Sequence, residues 1–393
     1  MSGTKFAILP DTTIGQTDSS ISNVSPDCTP IPLFATMLAA GEGTRMKSDR
    51  PKTLARICGK PMGVHVLDAL CQAGVQDAVV VVGHKAERVE AALAAMAPTT
   101  MKLHFAEQSK LNGTGDALSV ALTVLPDALG YSPAEMPVAI VVPADTPLIT
   151  ADTLRNLAES HIESKAAATL ITAEVDEPFG YGRIVRTKDG KVARVVEERD
   201  AINEQKNITE INTGIYAFNL DILAPTLRRI TPINDQGEYY LTDCISILSE
   251  MGYLVNSIQI ADRAEALGVN DRVQLAEAEH QFRQRINRAW MKQGVTMVDP
   301  ESTYIEATVT IGQDTTIWPG SHLAGNTQIG LSVEVGPETR LLDCTVGDGA
   351  KVTRCEATQA DIGSDAIVGP WVVLAPGAKV EPGTSTGSFK VLG

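Results

Sequence analysis

The first place in this sequence where chemistry could be done is a loop of small residues carrying an arginine, with a lysine close behind. It reads Leu38-Ala39-Ala40-Gly41-Glu42-Gly43-Thr44-Arg45-Met46, followed by Pro51-Lys52. Small residues after a strand let backbone N–H groups approach a phosphate chain or a base. Arg45 can fork two N–H bonds onto phosphate oxygens, and Lys52 adds a compact positive charge. The spacing fails the P-loop pattern, and Met46 stands where a dinucleotide fingerprint needs its third glycine. A Gly-x-Gly turn alone would mean only that the chain reverses. The Thr-Arg and Pro-Lys pairs at these spacings are what add chemistry.

Three further positions extend this reading. Gln108 comes five residues before Gly113-Thr114-Gly115, and an amide donates and accepts at once, which suits the edge of a uracil ring. Taken alone, the Gly-Thr-Gly loop is a bare turn. Asp145 follows the apolar run Val138 to Val142, inside Ala144-Asp145-Thr146-Pro147-Leu148. A carboxylate at a strand end facing a triphosphate is a natural Mg²⁺ ligand, although the same residue fits an N-cap or turn before Pro147. Asn270, in Gly268-Val269-Asn270-Asp271-Arg272, reads on its own as the N-cap of a following helix.

The elements that must position these residues alternate. Leu33 to Leu38, Val79 to Val82 and Val138 to Val142 are short apolar strands. Residues 62–73, 86–96 and 151–164 have helical spacing. Such alternation predicts an α/β Rossmann-like domain with a mostly parallel sheet covered on both faces, whose ligands bind beyond the carboxyl ends of the strands. The polar residues at 39–45, 83–85 and 143–147 lie at those ends. Residues 271–292 are charged, helical in spacing and free of Gly and Pro, and Gly294 can end them, so they read as a connecting helix arm.

A different period then takes over. Ile305, Ile311, Ile317, Leu323, Ile329, Val335 and Leu341 stand six residues apart, and after an irregular stretch the phase returns at Ile362, Val368, Leu374 and Val380. A sustained period of six predicts a left-handed parallel β-helix of hexapeptide repeats, each apolar residue pointing into a prism. The expected division is a disordered tail over 1–32, an α/β domain over 33–270, an arm over 271–294 and the β-helix over 295–393.

The loop at 38–52 resembles the sugar-nucleotidyltransferase signature. Residues 33–380 as a whole resemble the family of bacterial bifunctional N-acetylglucosamine-1-phosphate uridylyltransferase/glucosamine-1-phosphate acetyltransferases. The resemblance implies uridylyl transfer from UTP to N-acetylglucosamine 1-phosphate, which feeds cell-wall precursor synthesis. It implies that Leu38, Ala39, Ala40, Gly41, Lys52, Gln108, Gly113 and Thr114 hold the nucleotide, with Gln108 reading uracil. It places Mg²⁺ on Asp145 and Asn270, and gives the catalytic work to Arg45, Lys52 and Asp145. Gly182, Glu197 and Asn212 match the family's sugar-binding positions, the choice of Glu197 over Glu198 resting on alignment to the family pattern Val-Glu-x-x-Asp. Glu238-Tyr239-Tyr240-Leu241-Thr242-Asp243 also matches, and an ordinary packing role is expected for it. A homotrimer assembled through the β-helix is implied.

Two departures stand out. The family has Gly before the metal aspartate, where this chain has Ala144 after Pro143, so a Cβ crowds the ligand side. The family's acetyltransferase site uses an Arg in a Leu-Arg-Pro-Gly segment, here Leu374-Ala375-Pro376-Gly377, and later Lys, Tyr, Asn and His positions lie beyond Gly393. No acetyl transfer is therefore expected of this chain, and His322, the sole histidine in the β-helix region, lacks a partner set. Other expectations compete: a different nucleotide and sugar, or a non-catalytic scaffold of the same plan.

Bulk properties exclude further classes. A net charge of −15 argues against a duplex nucleic-acid partner. No run of 18 apolar residues exists, so no membrane helix is expected. Cys28, Cys58, Cys71, Cys244, Cys344 and Cys355 form no C-x-x-C pair. They read as free thiols of a cytoplasmic protein. The Ser-, Thr- and Pro-rich start lacks the form of a signal peptide.

Overall fold

The structure is a computed structural model that describes residues 31–125 and 136–393. Nearly all of the expected tail, with Cys28, lies outside the described residues. The chain divides into two compact units, one of residues up to 55 and from 62 to 274, the other of residues 56–61 and 275–393.

The first unit is built on a mixed sheet. Its strands run in the order Val255–Gln259, Ala168–Glu174, Glu210–Asn219, Val138–Pro143, Leu33–Leu38, Asp77–Val82 and Lys102–Glu107. Leu33–Leu38 is central and pairs in parallel with both Val138–Pro143 and Asp77–Val82. Every side chain from Val138 to Val142 is at most 1% exposed. Each such Val or Ile stabilises the fold by roughly 1.5–3 kcal/mol relative to an exposed position, which is why continuous apolar runs mark the middle of this sheet.

Glu210–Asn219 is antiparallel to both of its neighbours, a feature the apolar-run pattern does not announce. Its register breaks between Asn212 and Tyr216, around Gly214 at φ 79°. The two extra residues of this irregularity re-aim the side chains beside them. The hairpin Gly182–Arg186 and Val192–Val196 extends the sheet from this strand.

The second unit is a parallel β-helix of three sheets with five, six and five strands, most of them two or three residues long. Ile305, Ile311, Ile317, Leu323, Ile329, Val335 and Leu341 are all buried inside it. The irregular stretch of sequence has a simple structural cause. The next inward residues are Val346, Val352, Ala357 and Ile362, each at most 2% exposed, so three of the corners are one residue short.

The helix Arg272–Lys292 leads into this unit, and its Trp290 joins the prism core. Asn287, fully buried, donates through Nδ2 to the carbonyls of Pro300 (2.9 Å) and Thr303 (3.0 Å). Residues 56–61 form a tight hairpin with Cys58 and Gly59 at positive φ. A Cβ on Gly59 would stand 2.6 Å from the Glu306 carboxyl. Burial pushes the thiols of Cys58, Cys244, Cys344 and Cys355 up, which fits inert, reduced packing residues.

Candidate active site

In the first unit the strand ends Leu38, Glu107 and Pro143 leave a cavity of about 420 Å³. Of the residues singled out from sequence, Leu38, Ala39, Ala40, Gly41, Lys52, Gln108, Gly113, Thr114, Asp145, Glu197 and Asn212 line it. Arg45, Gly182 and Asn270 do not.

The floor comes from the first strand's exit. Ala39 N–H bonds Val81 O (2.9 Å) and Ala144 N–H bonds Leu38 O (3.0 Å), which stitches the loop ends together. Beyond that, the N–H groups of Gly41, Glu42 and Gly43 donate to no other described residue. They remain available to an anion. The chain then makes a 3-10 turn, Thr44–Met46, which buries Met46 and leaves Arg45 exposed with no partner among the described residues. Arg272 Nε fixes the end of this turn at Met46 O (3.2 Å).

At the centre the Lys52 ammonium donates to Asp145 Oδ2 and to Asn270 Oδ1 (3.1 Å to the latter). Backbone geometry brings these groups together: Val269 N–H bonds the carbonyl of Asp145 (2.8 Å). Asp145 lies in a turn, as one of its two alternatives has it, but neither it nor Asn270 caps a helix. Thr150, not Asp145, caps the helix Ala151–Ser164, accepting from Thr153 N–H. Asp271, not Asn270, caps the arm helix, its Oδ1 accepting from the N–H groups of Val273 and Gln274 (2.9 Å each). The side chains of Asp145 and Asn270 are thereby spared for the centre.

Two oxygens converging on one cation are a donor set that suits a hard divalent ion. Among the described residues no group of three His, Cys, Asp or Glu could hold a metal. Asp145 and Asn270 are the residues here that could offer oxygen donors to a divalent ion.

One end of the cavity is formed by Gln108 and the turn at Gly113. Gln108, 4% exposed, donates from Nε2 to Gly113 O (3.0 Å) and Asp116 Oδ2 (2.7 Å). Both N–H bonds of the amide are spent, and its oxygen is left as the acceptor. Gly113 has φ 108°, and a Cβ there would meet Tyr239 O at 2.6 Å, so only glycine fits.

The opposite end holds Glu197 and Asn212. Glu198 turns away, its Oε2 accepting from the buried Arg183 (2.7 Å) and from Gly180 N–H (3.2 Å). This leaves Glu197 as the carboxylate of the pair that lines the cavity. Burial pushes the Glu197 carboxyl up, and the Thr242 hydroxyl bond partly offsets this. Asn212 sits beside the bulge, donates from Nδ2 to Tyr216 Oη (2.7 Å), and keeps a buried Oδ1 with no partner among the described residues. Gly182 stands behind these two: a Cβ there would lie 3.5 Å from Glu197 Oε2. The sequence reading missed Thr53, Tyr216, Glu238, Leu241 and Thr242, which also line the cavity. The match of Glu238 to Asp243 with the family was the available signal.

Fold and site together define a nucleotidyltransferase: an α/β domain with a small-residue loop at the first strand's exit, joined to a parallel β-helix. Residues 35–207 match the MobA-like NTP transferase domain. The bifunctional protein GlmU of Carboxydothermus hydrogenoformans is 43% identical over 353 residues, covering 90% of this chain and 76% of that protein. The GlmU of Mycobacterium bovis is 43% identical over 354 residues, covering 90% and 70%. A solved structure of a putative glucose-1-phosphate thymidylyltransferase from Bacillus anthracis shares the fold, with a TM-score of 0.51 at 20% identity over 63% of this chain and 94% of that one. The chain belongs to the GlmU family.

Proposed function

We propose that this chain transfers the uridylyl group of UTP to N-acetylglucosamine 1-phosphate in the presence of Mg²⁺, releasing pyrophosphate. The observation that carries the reading is the central Lys52, Asp145 and Asn270 cluster, set between a base-sized end at Gln108 and a polar end at Glu197 and Asn212.

An oxygen of the sugar phosphate attacks the α-phosphorus of UTP, the new P–O bond forms, and the bond to pyrophosphate breaks with the electron pair leaving on pyrophosphate. The attacking phosphate is already ionised, so no protein nucleophile or base is needed, and catalysis is positioning plus charge neutralisation. Bound Mg²⁺ supplies charge neutralisation across the phosphates. Lys52, once released from Asp145 and Asn270, is placed to bond the phosphate chain. Arg45, exposed on its turn and without a partner among the described residues, is free to fold onto the pyrophosphate end. The Gln108 oxygen accepts from uracil N3–H, a donor that cytosine lacks. Asn212 Oδ1 and Glu197 accept from sugar hydroxyls or the acetamido N–H.

The test is pyrophosphate release from UTP, CTP, dTTP and ATP with a panel of sugar 1-phosphates, with and without Mg²⁺. Fastest release with UTP and N-acetylglucosamine 1-phosphate supports the reading, and equal rates with ATP or glucose 1-phosphate would defeat it.

Three linked expectations belong to the same proposal. The chain carries out no acetyl transfer, since Ala375 stands at the arginine position; coenzyme A release from acetyl-CoA with glucosamine 1-phosphate would refute this. It assembles as a homotrimer through the β-helix, whose last coils expose Ile367, Trp371, Val373 and Val391; light scattering checks the mass. It works in the cytoplasm, in keeping with buried free thiols and with no described helix being long and apolar enough to cross a membrane; cell fractionation tests this.

A further inference from the structure

The segment Glu238 to Asp243, expected from sequence only to pack, spans both ends of the cavity. Tyr239 N–H donates to Asn112 O (2.7 Å), Gly115 N–H donates to Tyr239 O (2.7 Å), and Leu241 N–H donates to Thr114 Oγ1 (3.0 Å). These three bonds fasten it to the turn that forms the base end. One residue further, Thr242 is 5% exposed and donates its hydroxyl to Glu197 Oε1 (3.0 Å). The same short stretch therefore braces the nucleotide loop with its backbone and the sugar-end carboxylate with a side chain.

We propose that Thr242 is a positioning residue for the sugar: its hydroxyl pins one oxygen of Glu197 so that the other is presented to the ring hydroxyls. The inference rests on the reading of Glu197 as the acid that binds the sugar. A carboxylate on the end of a flexible side chain would otherwise sample several rotamers, and ordering it on binding would cost affinity. Thr242 does that ordering in advance.

The charges around Glu197 make the bond matter more. Burial pushes its carboxyl up, and the neighbouring Asp200 and Asp243 act in the same direction. The Thr242 hydroxyl is what pulls it down. The phenols of Tyr216 and Tyr240, which also stand near, are themselves pushed up and stay neutral. Asn212 adds no charge. Losing the Thr242 bond thus leaves Glu197 both less fixed and harder to ionise.

The experiment compares Thr242→Val, which keeps the shape and removes the hydroxyl, with Thr242→Ser, Thr242→Ala and Glu197→Gln in steady-state pyrophosphate release. A hydrogen bond to a charged group contributes roughly a factor of ten or more. Thr242→Val is expected to raise KM for the sugar phosphate by about tenfold and to leave KM for UTP within about twofold. It should also move the acidic limb of kcat/KM for the sugar phosphate to higher pH. Thr242→Ser is expected to restore both. If Thr242→Val fails to give folded protein by thermal melting, the same comparison is made with Thr242→Ala.

The inference is overturned if Glu197→Gln raises the sugar KM while the Thr242 variants leave KM and the acidic limb unchanged. It is also overturned if the Thr242 variants raise the UTP and sugar KM values equally, since that is what loss of packing would do. If Glu197→Gln itself leaves the sugar KM unmoved, the assignment of Glu197 fails first and takes the inference with it.

Discussion

Replacing Lys52 with methionine should move two measurable quantities in opposite directions. The ammonium donates to Asp145 and Asn270, and the Lys52 and Asp145 side chains are only 16% and 21% exposed. At an effective dielectric near 20 a close unit-charge pair has a gross attraction of roughly 4 kcal/mol. Desolvation takes back much of it, leaving on the order of 1–2 kcal/mol net. A divalent ion entering the nucleotide-free protein has to displace that lysine. Lys52→Met should therefore bind Mn²⁺ about tenfold more tightly than the wild type, read by electron paramagnetic resonance of the free ion. Turnover should fall by roughly a hundredfold or more, because a donor to the phosphate chain is gone. Unchanged Mn²⁺ affinity would refute the claim that the lysine and the ion compete for the same oxygens. Unchanged turnover would refute the phosphate role.

Other outcomes follow from the same geometry. CTP should support pyrophosphate release at least a hundredfold more slowly than UTP, since cytosine would leave the Gln108 oxygen facing no donor; comparable kcat/KM values would remove Gln108 from base recognition. Gly113→Ala should raise the UTP KM and lower stability by about 1–3 kcal/mol, because φ 108° and the Tyr239 carbonyl leave no room for a Cβ; a denaturant titration and an unchanged midpoint would speak against it. His161 is 1% exposed, bonded to Thr169 and Asn219, and burial lowers it from 6.5 to about 4. It is neutral in the folded state, so the unfolded chain takes up the proton first as pH falls below 6.5. This group should cost about 2 kcal/mol of stability between pH 7 and pH 5. His161→Gln should lose that much less over the same interval in urea titrations, and identical losses would show that His161 titrates normally.

Much of this arrangement was legible in the sequence because the features obey short rules. Continuous apolar runs such as Val138 to Val142 belong to strands buried on both faces, and a strict period of six has one architectural reading. The loop at 38–41 and the residues Lys52 and Asp145 could be placed at strand ends before any coordinates. What stayed hidden depends on contacts between distant segments. The antiparallel strand Glu210–Asn219 carries a bulge at Gly214, which hides its alternation. Which of Glu197 and Glu198 faces the cavity is decided by the buried Arg183, fifteen residues before Glu198. The work of Glu238 to Asp243 is expressed through hydrogen bonds to residues 112–115 and 197, and no local pattern reports those. Arg45 is the reverse case: its sequence context is informative, yet its 3-10 turn leaves it outside the cavity lining.

The most direct test of the account is a crystal structure of the protein with UDP-N-acetylglucosamine and Mg²⁺. The diphosphate and the ion are expected at Asp145 and Asn270, the uracil against Gln108, and the sugar between Glu197 and Asn212. A well-ordered ligand bound elsewhere, or a cavity that stays free of it at saturating concentration, would contradict the account.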